Sequence, residues 1–246
     1  MTTMKNAFPF AVLVLVVFSF ASCDEIFTNY EGTDDEYPDS EGEIRIYSLL
    51  DDKTVDFGIG DRDLFSNAGF KDMTEYEKVS VGQRLTNLLD SETGDTLFSD
   101  RTNFIEYERR YNMYAFEDDE DNIILRAVEN DDIVDPDGGT RVRIFNAFKH
   151  SPTLDVYFTD PGDDLDDPDV VPQFVEVDFN NNPEQELVRY EPIESGNVTM
   201  RVTELGSTDV LYEAEVDVDA ETSYTVLLYE GDEEGNPTDH TLLEDN

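Results

Sequence analysis

Thr140 to Asp160 reads TRVRIFNAFKHSPTLDVYFTD, and a looser copy, GEIRIYSLLDDKTVDFGIGD, stands at Gly42 to Asp61. In both, apolar residues flank an arginine: Ile44, Arg45 and Ile46 in one, Val142, Arg143 and Ile144 in the other. A polar turn follows, and then threonine, an aliphatic residue and aspartate: Thr54, Val55, Asp56, and again Thr153, Leu154, Asp155. Taken as a hairpin, the period-two alternation sets Ile44, Ile46, Val55 and Phe57 on one face and Arg45 and Asp56 on the other. The second copy repeats this with Val142, Ile144, Leu154 and Val156 inside, and Arg143 and Asp155 outside.

The repeat runs on at a nearly constant spacing. Tyr76, Glu77 and Gly82 match Tyr190, Glu191 and Gly196, and Asp95 to Phe98 matches Asp209 to Tyr212. Further on, Glu108 and Tyr111 match Glu221 and Tyr224. Preserved order with small gaps signals a duplication. Val198, Met200 and Val202 alternate cleanly, whereas Arg84 to Leu89 does not, which predicts a one-residue slip in the first copy. Each copy holds about seven short strand-like runs between Gly, Asn, Asp and Pro, and none sustains a helical period. The expectation is all-β, with two tandem antiparallel β-sandwiches. An insertion between Asp155 and Tyr190 carries an acidic loop, Asp160 to Asp169, and an alternating run, Phe174 to Phe179, that would add a strand at an edge.

Arg141 to Ala147, then Ser151, Pro152 and Leu154 to Tyr157, and finally Glu221, Tyr224 and Val226, resemble the bacterial and archaeal "domain of unknown function 4397" family. The first copy keeps Arg45, Asp56 and Tyr111 and lacks the Ser-Pro pair. The resemblance implies exported, surface-displayed, immunoglobulin-like modules, often in tandem, with no assigned reaction.

Charge sets the class of partner. The 246 residues hold 60 Asp and Glu against 16 Lys and Arg, a formal net charge of −44. Nucleic-acid binding needs a basic footprint that displaces counterions, and this chain has none. Adhesion to an anionic lipid surface by charge is disfavoured for the same reason. An acid-rich, Lys-poor composition fits a salt-adapted prokaryote, where self-repulsion is tolerated because it is screened.

The N-terminal run has Lys5 and then apolar residues from Ala7 to Phe20, too short for a comfortable membrane span. Phe20, Ala21, Ser22 and Cys23 resemble the lipobox of bacterial lipoproteins, which implies that Cys23 becomes the lipid-modified first residue of the mature chain. Cys23 is the single cysteine, so the chain can form no internal disulfide. Several acyl chains on one residue anchor stably where one would not. Asp24 to Gly42 is acidic and aperiodic, a tether spanning roughly 25 Å by the square-root rule. The expected organisation is a signal peptide at 1–22, the lipidated cysteine and tether at 23–42, sandwiches at 43–130 and 140–246, and a linker at 131–139.

Candidate sites are few. Arg45 with Asp56, and Arg143 with Asp155, are expected as cross-strand ion pairs on the outer hairpin face, each contributing a few tenths of a kcal/mol up to about 1. The acidic loops invite calcium through Asp132, Asp135 and Asp137 at the boundary, and Asp160, Asp163, Asp164 and Asp166 in the insertion. Neither has EF-hand spacing, and solvated charge is the competing reading. His150 and His240 are isolated, and His150 is expected in an exposed turn. Ser151 lacks a nucleophile-elbow setting. Trp is absent, which weakens a sugar platform, although Tyr107, Tyr114, Tyr157 and Tyr229 could stack. The sequence therefore points to a lipid-anchored envelope protein, periplasmic or surface-exposed. It would act as a non-catalytic binding, adhesion or spacer module toward a protein or envelope polymer. A calcium-dependent interaction protein and a carboxylate hydrolase are the alternatives.

Overall fold

The alternation that places Ile44 and Ile46 on one face holds, but the strands it joins lie in different sheets. In the computed structural model, which describes residues 40–118, 120–130, 139–180, 189–231 and 239–245, the first strand is β1 (Glu41–Ser48) and the second β2 (Val55–Ile59). β1 pairs with β4 (Glu77–Ser80) and β7 (Arg110–Glu117), and β8 (Ile123–Asn130) completes that sheet in the order β4-β1-β7-β8. β2 pairs instead with β3 (Arg62–Ala68) and β5 (Gly82–Asp90), and β6 (Thr96–Ile105) closes a second sheet, β3-β2-β5-β6. The polar stretch between β1 and β2 therefore crosses from one sheet to the other, so Ile44, Ile46, Val55 and Phe57 meet face to face in one core.

The second half repeats this plan strand for strand. β9 (Thr140–Asn146), β12 (Glu191–Ile193), β15 (Ser223–Tyr229) and β16 (Asp239–Glu244) form the sheet β12-β9-β15-β16. β10 (Leu154–Thr159), β11 (Phe174–Val177), β13 (Gly196–Glu204) and β14 (Val210–Val218) form β11-β10-β13-β14. Register matches as well: Ile44 lies opposite Tyr111 and Glu77, as Val142 lies opposite Tyr224 and Glu191. The structure is all-β among the described residues, with eight strands per half. Two pairings, β1 with β7 and β9 with β15, are parallel, so the sheets are mixed where a purely antiparallel sandwich was expected. Parallel neighbours need a long crossover, here the whole excursion through the partner sheet.

Local devices recur at equivalent places. Tyr111 Oη accepts the N–H of Glu106 at 3.2 Å, and Tyr224 Oη accepts that of Asp219 at 3.1 Å. Such a hydroxyl ties a late strand to the corner before it. Gly82 and Gly196 carry φ of 101° and 116° at the tight turns into β5 and β13, a conformation side chains resist. The predicted slip in the first half appears as a register irregularity between Arg84 and Thr86. β11 is an edge strand, as expected, but β3 is its counterpart in the first half, so the added material of the second half includes the acidic loop before it. That loop ties back to the sheet: Thr208 donates its hydroxyl to Asp166 at 2.8 Å, and Gln173 bonds both the N–H and the carbonyl of Phe158.

Each half has its own apolar core between its two sheets. A third cluster lies on the outer faces of β1, β7 and β8 and of β9, β15 and β16, joining residues of both halves. This explains why every residue of β15, and Tyr111 to Phe116 of β7, is buried. Both faces of those strands are covered.

Candidate functional site: the face between the halves

Arg45 and Arg143 follow the expected alternation and point away from their sandwich cores, yet both are buried, Arg143 at 1% exposure. Their outward face is the face on which the other half packs. Arg45 Nε donates to Asn112 Oδ1 at 2.7 Å within its own half, and Nη2 donates to the Glu244 carbonyl of the other at 2.9 Å. Arg143 mirrors this. Its Nε donates to Thr225 Oγ1 at 2.7 Å, and Nη1 reaches the Glu129 carbonyl of the first half at 2.6 Å. Each guanidinium also lies over one of the two tyrosine rings matched in the repeat, Arg45 over Tyr76 at 4.6 Å and Arg143 over Tyr190 at 4.7 Å.

The two arginines share a carboxylate. Asp245, whose side chain is 1% exposed, lies 3.6 Å from Arg45 and 3.5 Å from Arg143. It accepts hydrogen bonds from Thr225 at 2.6 Å, Tyr190 at 2.9 Å and Asn112 at 3.0 Å. Arg143 Nη2 also donates to Asn130 Oδ1, and Asn130 Nδ2 donates to the hydroxyl of Tyr76. A buried charge tolerates burial only when it is paired and its remaining valences are bonded, and Asp245 meets both conditions. Burial pushes the Tyr114 hydroxyl up to about 12, with Arg143 opposing. It pushes Tyr190 and Tyr76 upward too. All three phenols stay neutral at physiological pH.

Aromatic packing surrounds this polar centre. Tyr114 stacks on Phe145 with centroids 4.6 Å apart, and Phe116 meets Phe145 edge-on at 5.5 Å. At the margin, Tyr47 donates to Thr241 at 3.1 Å and Lys71 pairs with Asp239 at 3.3 Å. Both contacts cross between the halves.

The expected ion pairs are corrected by this arrangement. Arg45 and Asp56 lie in different sheets, as do Arg143 and Asp155, so neither pair can form. Asp56 instead accepts the Asn67 N–H at 2.8 Å and the Ser91 hydroxyl at 2.6 Å. Asp155, which is buried where Asp56 is half-buried, accepts the N–H groups of Gly206 at 2.8 Å and Glu176 at 3.3 Å. Each aspartate thus reaches both a neighbouring strand and the turn that follows β5 or β13, through Ser91 in the first half and Gly206 in the second.

The calcium candidates divide. Asp132, Asp135, Asp137 and the lipidation candidate Cys23 lie outside the described residues. Asp160, Asp163, Asp164 and Asp166 are described, and they do not converge. Asp163 accepts the Asp160 N–H, Asp164 the Asp166 N–H, and Asp166 the Thr208 hydroxyl. Among the described residues, no three carboxylate, histidine or cysteine groups are placed to hold a metal.

Of the tyrosines offered for stacking, Tyr114, Tyr157 and Tyr229 are buried, leaving Tyr107 at 57% exposure. His150 is exposed in its turn, as expected. His240 is half-buried, and its Nδ1 lies 2.7 Å from the Tyr212 hydroxyl, a contact that no motif in the chain foreshadows. Burial lowers its pKa, partly offset by Asp239.

Comparison with solved structures returns chains of low similarity. One, titled "Alpha-glucan recognition by family 41 carbohydrate-binding modules from streptococcal virulence factors", has 10% identity and a TM-score of 0.26, covering 76% of this chain and 93% of its own. Another, the family 26 module CBMbc from Eubacterium rectale Amy13K in complex with maltoheptaose, has 13% identity and a TM-score of 0.25, covering 83% and 96%. No curated protein matches. The family model described as "Domain of unknown function (DUF4397)" matches residues 42–157, which centres the match on the first half, the looser copy by motif. The match runs from Gly42 in β1 to Tyr157 in β10, and over that stretch the chain is similar to the DUF4397 family.

Proposed function

We propose that the protein is an exported, lipid-anchored component of the cell envelope whose two sandwiches act as one stiff, non-catalytic unit for binding or spacing. The observation that carries this reading is the use made of the buried ionisable groups. Arg45, Arg143 and Asp245 all make contacts that join the halves, and Tyr76 and Tyr190 lie against the two arginines. A protein that holds something at a set distance benefits from a fixed joint, and the buried Arg45, Arg143 and Asp245 are placed there. The lipobox-like sequence at Cys23 and the acidic tether after it support anchoring.

Metabolic labelling with palmitate, followed by membrane fractionation, tests the anchor. Label should enter the wild-type chain and be lost in Cys23→Ser, with the variant moving to the soluble fraction. Equal labelling, or equal membrane retention, overturns the anchor. A fragment of residues 40–246 immobilised against solubilised envelopes tests the binding role. Specific retention of one protein or polymer supports it. Turnover of a substrate that depends on a residue of this fragment overturns the non-catalytic reading.

A further inference from the structure

The contacts between the halves are reciprocal. Arg45 of the first half reaches the Glu244 carbonyl at the end of β16, and Arg143 of the second reaches the Glu129 carbonyl at the end of β8. Tyr76 and Tyr190 hold the same place against these arginines. The sheets that meet are the same sheet of the repeated plan, β4-β1-β7-β8 against β12-β9-β15-β16. One patch packed on its own equivalent is the geometry of an isologous dimer, here within one chain.

From this geometry we infer that the face also pairs in trans, the first half of one copy taking the second half of another. The partner is thus a second copy of this chain, held by exchange. The contacts between the halves given above are kept in such a dimer, so the balance turns on concentration and on the connecting segment. That segment is short in sequence, from Asn130 at the end of β8 to Thr140 at the start of β9. In the closed chain its flanks are drawn together, because Asn130 bonds Arg143, three residues into β9. A chain of that length, fully extended, reaches about 30 Å at ~3.3 Å per residue, enough to send the second half to a neighbour. Confinement to a surface would raise the local concentration that favours exchange.

The test uses residues 40–246, which lack cysteine, with single-cysteine variants Lys71→Cys and Asp239→Cys. These residues are partly exposed and face each other across the joint. The two variants, distinguished by mass tags, are denatured together, refolded at high concentration and treated with a short bismaleimide. Exchange yields a link between position 71 of one chain and position 239 of a differently tagged chain, at several-fold above a control pair of cysteines at distant surface positions. Mixing after separate refolding should remove that excess. The double variant in one chain must link within the monomer, and failure to do so overturns the joint itself. An intramolecular link in the double variant with no hetero-link above control overturns exchange.

Discussion

Asn130 and Asp245 occupy equivalent positions in the two halves. Asn130 lies opposite Arg110 in the β7–β8 register, and Asp245 donates its N–H to the carbonyl of Ser223, the residue that takes Arg110's place in the second half. One amide and one carboxylate therefore answer two buried guanidinium groups. The joint is symmetric in its backbone and asymmetric in its charge.

That asymmetry makes Asp245 the residue on which the joint most depends. Asp245→Ala should lower the free energy of unfolding of the 40–246 fragment by about 3–5 kcal/mol, because it leaves two arginines buried without their counter-ion. Arg143→Lys should also destabilise, since an ammonium cannot serve Thr225, Glu129 and Asn130 at once. Urea denaturation followed by tyrosine fluorescence checks both, and a change below about 1 kcal/mol for Asp245→Ala would show the network to be dispensable.

Arg45 and Asp56 should behave as strangers. In a double-mutant cycle with alanine at each, the two effects should add within ~0.5 kcal/mol, as for residues in separate sheets. Arg45 and Asp245 should instead couple by about 1 kcal/mol or more. A strong Arg45–Asp56 coupling would restore the hairpin arrangement that the strand pairing rejects.

Acid should weaken the second sandwich through His240. Its folded pKa is lowered by burial, so the unfolded chain binds the proton more readily. The stability this group confers is complete above its unfolded value of about 6.5 and is lost as pH falls from there through the folded value. His240→Asn should flatten the fall in melting temperature between about pH 7.5 and 5 relative to wild type, and identical slopes would count against it.

Salt should act in the opposite sense from its effect on a single ion pair. The whole chain has a formal net charge of −44, and within the 40–246 fragment self-repulsion among the carboxylates outweighs the exposed pairs, so screening relieves it. Melting temperature should rise by roughly 5 °C or more between about 0.05 and 1 M sodium chloride. A flat response would mean that the carboxylates are already neutralised by their surroundings.

Much of this was legible in the chain. Period-two alternation located the core residues Ile44, Ile46, Val142 and Ile144, and the repeated Tyr76 and Tyr190 announced the duplication. The error over Arg45 and Arg143 has a physical origin. Alternation reports which side of a strand a residue occupies, not whether that side meets water, and not which strand lies beside it. A signal for double coverage was present. Tyr224, Val226 and Leu228 face the core, but Leu227 and Tyr229 between and beyond them are apolar too, a continuous run of the kind found in strands buried on both faces. Asp245 carried no such mark, since one acid among sixty gives no local sign that it alone will be sealed between arginines.

The shared layer of Tyr114, Phe116, Phe145, Leu227 and Tyr229 has an evolutionary consequence. Ordinary tandem modules on a string can diverge separately, each answering only to its own interior. Here a bulkier side chain at Leu227 must be accommodated by a residue over a hundred positions earlier, so the two copies drift together or not at all. Their freedom to specialise is left to the sheets turned outward, which is where the second copy has acquired its acidic loop.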